Sequence, residues 1–94
     1  MTTQTVTRNE SAGRYELHVD GALVGIADYD EQGDVVVLPH TEIDGSRRGQ
    51  GLGAVLVQGV LDDLRPSGKK IVPACWYVAQ FVDEHPAYRD LLAP

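Results

Sequence analysis

Two arginines and three glycines stand within the seven-residue segment RRGQGLG, which runs from Arg47 to Gly53. An apolar run, VVVL at residues 35–38, comes before this segment, and a helical apolar pattern begins at Leu52. Glycine lets the backbone turn tightly and lets a ligand approach it closely. The first turn of a helix has unpaired N–H groups and carries partial positive charge. The segment therefore predicts a strand-to-helix turn that binds a pyrophosphate, with the arginines adding charge.

Other nucleotide-binding patterns fit this turn poorly. No lysine followed by serine or threonine comes after the glycines, as a P-loop requires. The glycines at positions 49, 51 and 53 also lack the spacing of a dinucleotide-binding G-x-G-x-x-G pattern. The simpler alternative is a glycine-rich turn that only begins a helix.

Three further side chains are candidates for catalysis. Glu42 and His40 lie two residues apart on a predicted strand, so on an uninterrupted strand they share a face and can act as proton acceptor and orienting group. Cys75 ends a later strand, and a thiolate at the start of the helix that follows has a lowered pKa and can act as a nucleophile. The alternatives are a solvated carboxylate, a structural histidine bonded to the backbone and a buried cysteine that acts as a small hydrophobe. The spacing of the histidines and the cysteine predicts no metal site.

The apolar periodicity predicts a small α/β (α+β) fold that positions these residues. Pro39 lacks an N–H group, so it predicts a bulge or an unpaired position in the longest strand. Turns are predicted at Asp20-Gly21 and at residues 32–34. The predicted elements, in chain order, are a flexible N-terminus over 1–11, strands over 14–19, 22–29 and 35–43, a helix over 52–65, a strand over 70–75, and helices over 76–84 and 87–92.

The strand over 35–43, the helix over 52–65 and the strand over 70–75 form a predicted β-α-β unit. The two strands are therefore expected to run parallel, since such crossovers join parallel neighbours. Ligands of open sheets bind at the carboxyl ends of parallel strands. The glycine-rich turn, Glu42 and Cys75 all follow or end these strands, so we expect them to meet at one edge of the sheet.

The composition limits the class of protein and its partners. A chain of 94 residues makes one domain, predicted over residues 12–94, and no stretch is long enough to cross a membrane. A net charge of −6 argues against nucleic acid as a partner and favours a cationic substrate such as an amine, although many proteins are acidic for solubility alone. A single cysteine and the absence of a signal-peptide pattern favour a cytoplasmic location.

The spacing of Arg48, Gly51 and Gly53 resembles the acyl-coenzyme A signature Gln/Arg-x-x-Gly-x-Gly/Ala of the GNAT N-acetyltransferases. The resemblance extends to HTEI at residues 40–43, to IVPAC at 71–75 and to FVDEHPAY at 81–88. This combination is similar to the small YjdJ-type branch of the family, over roughly residues 12 to 92. The resemblance implies a reduced GNAT fold, with a mixed, mostly antiparallel sheet, a central β-α-β unit and C-terminal helices.

The resemblance also implies an activity and a set of site residues. The activity is acetyl transfer from acetyl-coenzyme A to an unidentified small-molecule or peptide amine; the alternative is an acyl-coenzyme A binding module without catalysis. Many larger members place a tyrosine on the helix after the second parallel strand, but Tyr77 comes too early there and Tyr88 lies on the next helix. We expect a monomer or a weak homodimer. The implied catalytic residues are Glu42, Cys75 and His40, and the implied cofactor-binding residues are Ile43, Arg47, Arg48, Gly49, Gln50, Gly51, Leu52 and Gly53.

Overall fold

A computed structural model describes residues 2–94 of the chain. None of the helices formed by these residues is long and apolar enough to cross a membrane. Short 3₁₀ turns lie at Gly45–Arg47, Arg65–Ser67 and Pro86–Leu91. The main elements, in chain order, are β1 (Gln4–Asn9), β2 (Arg14–Val19), β3 (Ala22–Gln32), β4 (Val35–Ile43), α1 (Leu52–Leu64), β5 (Lys70–Val72) and α2 (Trp76–Glu84).

The strands form one sheet in the order β1-β2-β3-β4-β5. The first four strands are antiparallel neighbours, and β4 and β5 are parallel, joined through α1. Asp20 and Gly21 both have positive φ, 50° and 86°, in the tight turn between β2 and β3. The predicted mixed, mostly antiparallel sheet with a β-α-β unit is therefore confirmed, and this unit lies at one edge of the sheet, where β5 is the last strand.

The element bounds differ from the predicted ones mainly at the second parallel strand. β5 ends at Val72, three residues before the predicted end. Pro73 follows directly and has no N–H group to continue the ladder. The last predicted helix is a 3₁₀ segment, Pro86–Leu91, and β3 continues to Gln32.

The N-terminal segment is the main correction to the predicted fold. Residues 1–11 were expected to be flexible, but β1 pairs with β2 from Gln4 opposite Val19 to Asn9 opposite Arg14. The prediction is therefore wrong for residues 4–9, while residue 1 lies outside the described residues. The backbone of β2 supplies the hydrogen bonds that hold β1, the edge strand. The Thr-rich sequence of β1 therefore forms a strand with little apolar alternation of its own.

A β-bulge lies in the middle of β4. Asp28 pairs with His40 whereas Asp30 pairs with Val37, so two residues of β4, Leu38 and Pro39, oppose one residue of β3. A bulge leaves one residue without its ladder hydrogen bonds, which suits the missing N–H group of Pro39. The predicted irregularity at Pro39 is confirmed.

The bulge changes which side chains of β4 face the core. Val36, before the bulge, and Leu38, the first residue of the bulge, are 0% and 2% exposed. On a regular strand, His40 and Glu42 would follow them inward, because alternate residues share a face. After the extra residue it is Thr41 that turns towards the core side, and His40 and Glu42 are exposed. The irregularity at Pro39 therefore places these two polar side chains in solvent instead of in the core.

Both helices pack against the same face of the sheet, where the core lies. α1 crosses the sheet and contacts β1, β2, β3 and β4, while α2 packs against α1 and β4. The buried side chains of this layer are apolar: Leu17, Val24, Ala27, Val36 and Leu38 from the sheet, Leu56, Val57, Val60, Leu61 and Leu64 from α1, and Val78, Phe81 and Val82 from α2.

Gly59 is where α1 comes closest to the edge strand, and its replacement by alanine tests that contact. A Cβ atom at Gly59 would lie 2.6 Å from a methyl carbon of Val6 and 2.7 Å from its Cβ. Alanine normally stabilises a helix interior by about 1 kcal/mol relative to glycine. Overpacking costs about 1–3 kcal/mol, so we expect Gly59→Ala to lower the free energy of unfolding by up to about 2 kcal/mol in urea denaturation.

A double-mutant cycle separates this clash from the helix propensity. In a Val6→Gly background both the methyl carbons and the Cβ atom that obstruct this position are gone, so Gly59→Ala should be neutral or stabilising there. Equal effects of Gly59→Ala in the two backgrounds would show that Val6 does not limit this position.

Candidate active site

An open cleft lies where β4 and β5 separate. Their pairing extends only from Val35 opposite Lys70 to Val37 opposite Val72. One further bond, from the Cys75 N–H to the Leu38 carbonyl oxygen at 2.9 Å, continues the contact. Beyond this bond the two segments diverge around a cleft of about 820 Å³, which is lined by Pro39, His40, Thr41, Glu42, Ile43, Arg47, Arg48, Gly49, Gly51, Leu52, Gly53, Ala74, Cys75, Trp76 and Tyr77.

One end of the cleft is the turn that leads into α1. Gly49 and Gly51 have left-handed φ angles of 82° and 72°, which glycine adopts without strain. A Cβ atom built on either glycine would meet no atom within 4 Å, so open space lies over this backbone. Gly51 is the N-cap residue of α1 and offers no side-chain cap to the first-turn N–H groups. With Arg47 and Arg48 beside it, this turn, here called the phosphate cradle (residues 47–53), fits a pyrophosphate group.

All predicted cofactor-binding residues except Gln50 line the cleft. Gln50 is exposed and lies outside the lining. Leu52 is only 4% exposed and serves mainly as the first core residue of α1. Ile43 lies at the end of β4, and its Cδ1 atom fills the space beside Gly25. A Cβ atom at Gly25 would come within 2.6 Å of that carbon, so the small residue on β3 allows Ile43 to pack there.

His40 and Glu42 lie on the side of the cleft formed by β4. Their side chains are 54% and 67% exposed, and His40 Nε2 is 3.4 Å from Glu42 Oε2. The two residues share a face, as the sequence predicted. The Glu42 carboxylate is therefore open to solvent, and the His40 imidazole is close enough to orient it.

Cys75 lies opposite β4 at the N-cap position of α2. The residue is 9% exposed, and its sulfur is 3.6 Å from the Thr41 hydroxyl oxygen. Burial raises the pKa of the Cys75 thiol, but hydrogen bonds from the Thr41 hydroxyl and from the backbone N–H groups of Val78 and Tyr77 outweigh it and hold that pKa below its ordinary value. The Cys75 thiol thus lies in the cleft with a pKa below its ordinary value.

Tyr77 lies in the cleft, although its place at the start of the helix had argued against such a position. A Cβ atom at Gly53 would lie 2.6 Å from the Tyr77 hydroxyl oxygen, so this hydroxyl rests on the first turn of α1. The Tyr88 hydroxyl instead donates to Asp62 at 2.7 Å, and His85 stacks on Phe81. The only sequence signal for this contact is the third glycine of the turn, which leaves room for an aromatic side chain.

Within residues 2–94, no group of three or more His, Cys, Asp or Glu side chains is placed to hold a metal ion. The polar side-chain groups of the cleft are two guanidinium groups, a carboxylate, an imidazole, a thiol, two hydroxyl groups and an indole N–H. This set suits anion binding and proton transfer.

A mixed sheet whose parallel strands diverge beside a glycine-rich helix start defines an α+β fold with an open cleft at the divergence. The family model described as GCN5-related N-acetyl-transferase matches residues 14–91 of this chain. The chain therefore belongs to the GCN5-related N-acetyl-transferase (GNAT) family.

Two curated relatives show the extent of the sequence similarity. Protein NATD1 of Homo sapiens is 34% identical and Protein NATD1 of Gallus gallus is 35% identical, each over 62 residues that make up 64% of this chain. The aligned region covers 55% and 56% of those proteins. The chain thus spans about half the length of the curated relatives it matches.

Two solved structures share the fold. A GCN5-like protein from Staphylococcus aureus, solved by NMR, has a TM-score of 0.72 at 18% identity and covers 95% of this chain and 87% of its own. The ribosomal-protein-S18-alanine N-acetyltransferase from Escherichia coli has a TM-score of 0.64 at 18% identity, with 89% and 75% covered. At this identity the likeness concerns the fold alone, and it confirms the predicted GNAT architecture.

Proposed function

We propose that this protein is an N-acetyltransferase that uses acetyl-coenzyme A to acetylate an amine. The observation that carries the proposal is the continuity of the cleft, which joins the phosphate cradle to Cys75 and to the pair of His40 and Glu42. Membership of the GNAT family supports the same activity. The short motifs HTEI and IVPAC favour the small YjdJ-type branch within that family.

The cradle and the free edge of β4 provide the residues for the coenzyme. Arg47, Arg48 and the first-turn N–H groups of α1 would hold the pyrophosphate. Beyond Leu38 the β5 side of β4 has no paired strand, so the backbone of Ile43 and its neighbours is free to pair with the pantetheine arm. Acetyl-coenzyme A, when bound, supplies an activated acetyl thioester.

The exposed pair on β4, His40 and Glu42, removes a proton from the amine. Glu42 accepts it, directly or through a water, and His40 orients the carboxylate. The amine nitrogen then bonds to the acetyl carbon while the carbon–sulfur bond breaks. Backbone N–H groups on the edge of β4 beyond Leu38, where β5 no longer pairs with it, would stabilise the negative charge on the acetyl oxygen. Tyr77 can return a proton to the leaving thiolate, since it lines the cleft. Tyr88 and His85 do not line it.

The surroundings of Cys75 support a second route to the same product. In this route the Cys75 thiolate takes the acetyl group as a thioester, and the amine removes it in a later step. We favour direct transfer, because it needs only a positioned amine and a proton acceptor. The two routes differ in whether an acetyl group ever resides on the protein.

Mass spectrometry with acetyl-coenzyme A alone, followed by a panel of amines, tests both the function and the route. Direct transfer predicts no acetylated protein, release of free coenzyme A thiol only with an amine, and an active Cys75→Ala variant. Acetylation of Cys75 that passes to an added amine at the turnover rate would establish the second route instead. No acetylated product from any amine would reject the enzyme.

The alternative function is an acyl-coenzyme A binding module without catalysis. The exposure of His40 and Glu42 favours it, because the acceptor end of the cleft is open to water. Such a module would bind acetyl-coenzyme A with the same dependence on the cradle but would turn over no amine.

The cradle makes a prediction that holds for both functions. Arg48→Ala should weaken the binding of coenzyme A by about 1–3 kcal/mol, the range for charge-assisted hydrogen bonds. Isothermal titration calorimetry at low and high salt measures this loss, and high salt should reduce the difference because it screens the attraction. Arg89→Ala removes the same charge far from the cradle, on the segment Pro86–Leu91, and should leave the affinity unchanged. Equal affinities of wild type and Arg48→Ala would exclude Arg48 from the site.

A further inference from the structure

The cleft closes where Thr41 on β4 meets Cys75. The Cys75 N–H donates to the Leu38 carbonyl oxygen at 2.9 Å, and the Cys75 sulfur lies 3.6 Å from the Thr41 hydroxyl oxygen. From this contact the unpaired edge of β4 continues to Ile43, the last residue of the strand. Thr41 therefore lies near the closed end of the cleft.

A small apolar void lies directly behind Thr41, on the helix side of the sheet. It is too narrow to hold a water molecule. Its lining residues besides Thr41 are buried and apolar: Ala27, Leu38, Val57, Val60 and Val78. Among the residues that the structure describes, only Thr41 lines both the cleft and this void. The side chain directly across from Thr41 on β3 is Ala27, which is small and leaves space there.

The contacts along α1 show that the phosphate cradle lies away from Thr41. Leu56 lies beside Ile43, since a Cβ atom at Gly25 would lie 3.5 Å from the first side chain and 2.6 Å from the second. Val60, one turn further along α1, lies with Thr41 around the void. The cradle precedes Leu56 and therefore lies beyond Ile43. A coenzyme whose pyrophosphate occupies the cradle and whose pantetheine arm runs back along β4 thus brings its acyl group towards Thr41.

The two faces of β4 offer different surroundings to that acyl group. His40 and Glu42 lie on the exposed face, from which the amine would approach. Thr41 points to the helix side, where its side chain lies between the cleft and the void. An alkyl chain could fill such an apolar space without leaving a polar group unpaired. The Thr41 side chain is what a chain longer than acetyl would have to displace.

We propose that Thr41 limits the acyl group to acetyl by closing the void to longer chains. This inference rests on the proposed use of acetyl-coenzyme A and adds the residue that selects the acyl group. One methylene too many in a closed apolar site corresponds to roughly a 10- to 200-fold loss. We therefore expect propionyl-coenzyme A to bind the wild type more weakly than acetyl-coenzyme A by about this factor.

Isothermal titration calorimetry without an amine tests the proposal, with free coenzyme A as the reference ligand for each variant. Thr41→Ala removes both γ atoms and should bring the affinities of propionyl- and acetyl-coenzyme A close to equality. Thr41→Val keeps the branched shape and loses only the hydroxyl group that contacts Cys75, so it should keep the wild-type preference for acetyl. This pair of variants separates the volume of the side chain from its hydrogen bond.

Val78 provides a second test, of whether the longer chain enters the void. It lines the void but not the cleft. Val78→Ala alone enlarges the void and leaves Thr41 in place, so acetyl-coenzyme A should still be preferred. The double variant Thr41→Ala/Val78→Ala should bind butyryl-coenzyme A more tightly than Thr41→Ala does. Circular dichroism confirms that each variant is folded.

Three outcomes would overturn the proposal: equal affinity of the wild type for the acetyl and propionyl compounds, an undiminished preference for acetyl in Thr41→Ala, or loss of that preference in Thr41→Val. Failure of the proposed function has a different signature. A preference for acetyl that disappears in Thr41→Ala, without acetylated product from any amine, would reject the enzyme and keep the acyl selection. Efficient acetylation by a wild type that binds both acyl groups equally would keep the enzyme and reject the selection.

Discussion

Replacement of Glu42 by glutamine is expected to lower kcat for acetyl transfer roughly 10²- to 10⁴-fold, the usual contribution of a general base. Glutamine keeps the shape of the side chain and can still contact His40, but it cannot accept a proton from the amine. KM for acetyl-coenzyme A should change little, since Glu42 is not among the residues 47–53 that form the cradle. Steady-state measurement of thiol release with a saturating amine provides the values.

A matched carboxylate elsewhere controls for the loss of charge. Glu84 ends α2, is exposed and lies outside the cleft lining, so Glu84→Gln should retain the wild-type kcat. A Glu42→Gln protein as active as Glu84→Gln would remove Glu42 from the reaction and leave His40 as the remaining proton acceptor on β4.

Replacement of Gly51 by valine should abolish measurable binding of coenzyme A by a folded protein. The φ angle of 72° strains a β-branched residue, at about 1–3 kcal/mol. The added side chain would also enter the open space over the cradle, where the pyrophosphate is expected. Calorimetry measures the affinity, and circular dichroism confirms that the variant is folded.

Gly33→Val is the control variant, because it introduces similar backbone strain at a position outside the cradle. Its φ angle is 65°, and a Cβ atom there would also meet nothing within 4 Å. It lies in the turn between β3 and β4, at the opposite end of β4 from Ile43. Gly33→Val should therefore lose stability like Gly51→Val yet bind coenzyme A normally. Normal binding by folded Gly51→Val would reject the cradle as the pyrophosphate site.

The elements that the sequence predicted well are those whose side chains alternate between core and solvent. β2 and α1 carry apolar residues at every second or every third and fourth position, and their bounds match to within a residue. The irregularity in β4 was also predictable, since proline cannot donate a ladder hydrogen bond. The glycine spacing located the cradle for a similar reason, because φ angles such as those of Gly49 and Gly51 favour glycine.

The features that the sequence did not reveal depend on partners distant in the chain. β1 is held by backbone hydrogen bonds to β2 and by the contact of Val6 with Gly59. Neither interaction requires apolar residues to alternate along β1, so its sequence shows no strand pattern. The place of Tyr77 depends on how α2 lies against α1, which spacing along one helix cannot fix.

The order of the strands has a consequence for how the protein folds and opens. Each of the first four strands pairs with the strand next to it in the chain, so these contacts close only short loops. The segment that carries Cys75, Trp76 and Tyr77 is instead joined to β4 by three paired residues and one further hydrogen bond. We therefore expect the amide of Cys75 to exchange its hydrogen faster than the amides of β2 and β3, through a local opening that leaves the four-stranded meander intact. Such an opening would widen the cleft from one side only, which gives a bound product a way out without unfolding of the sheet.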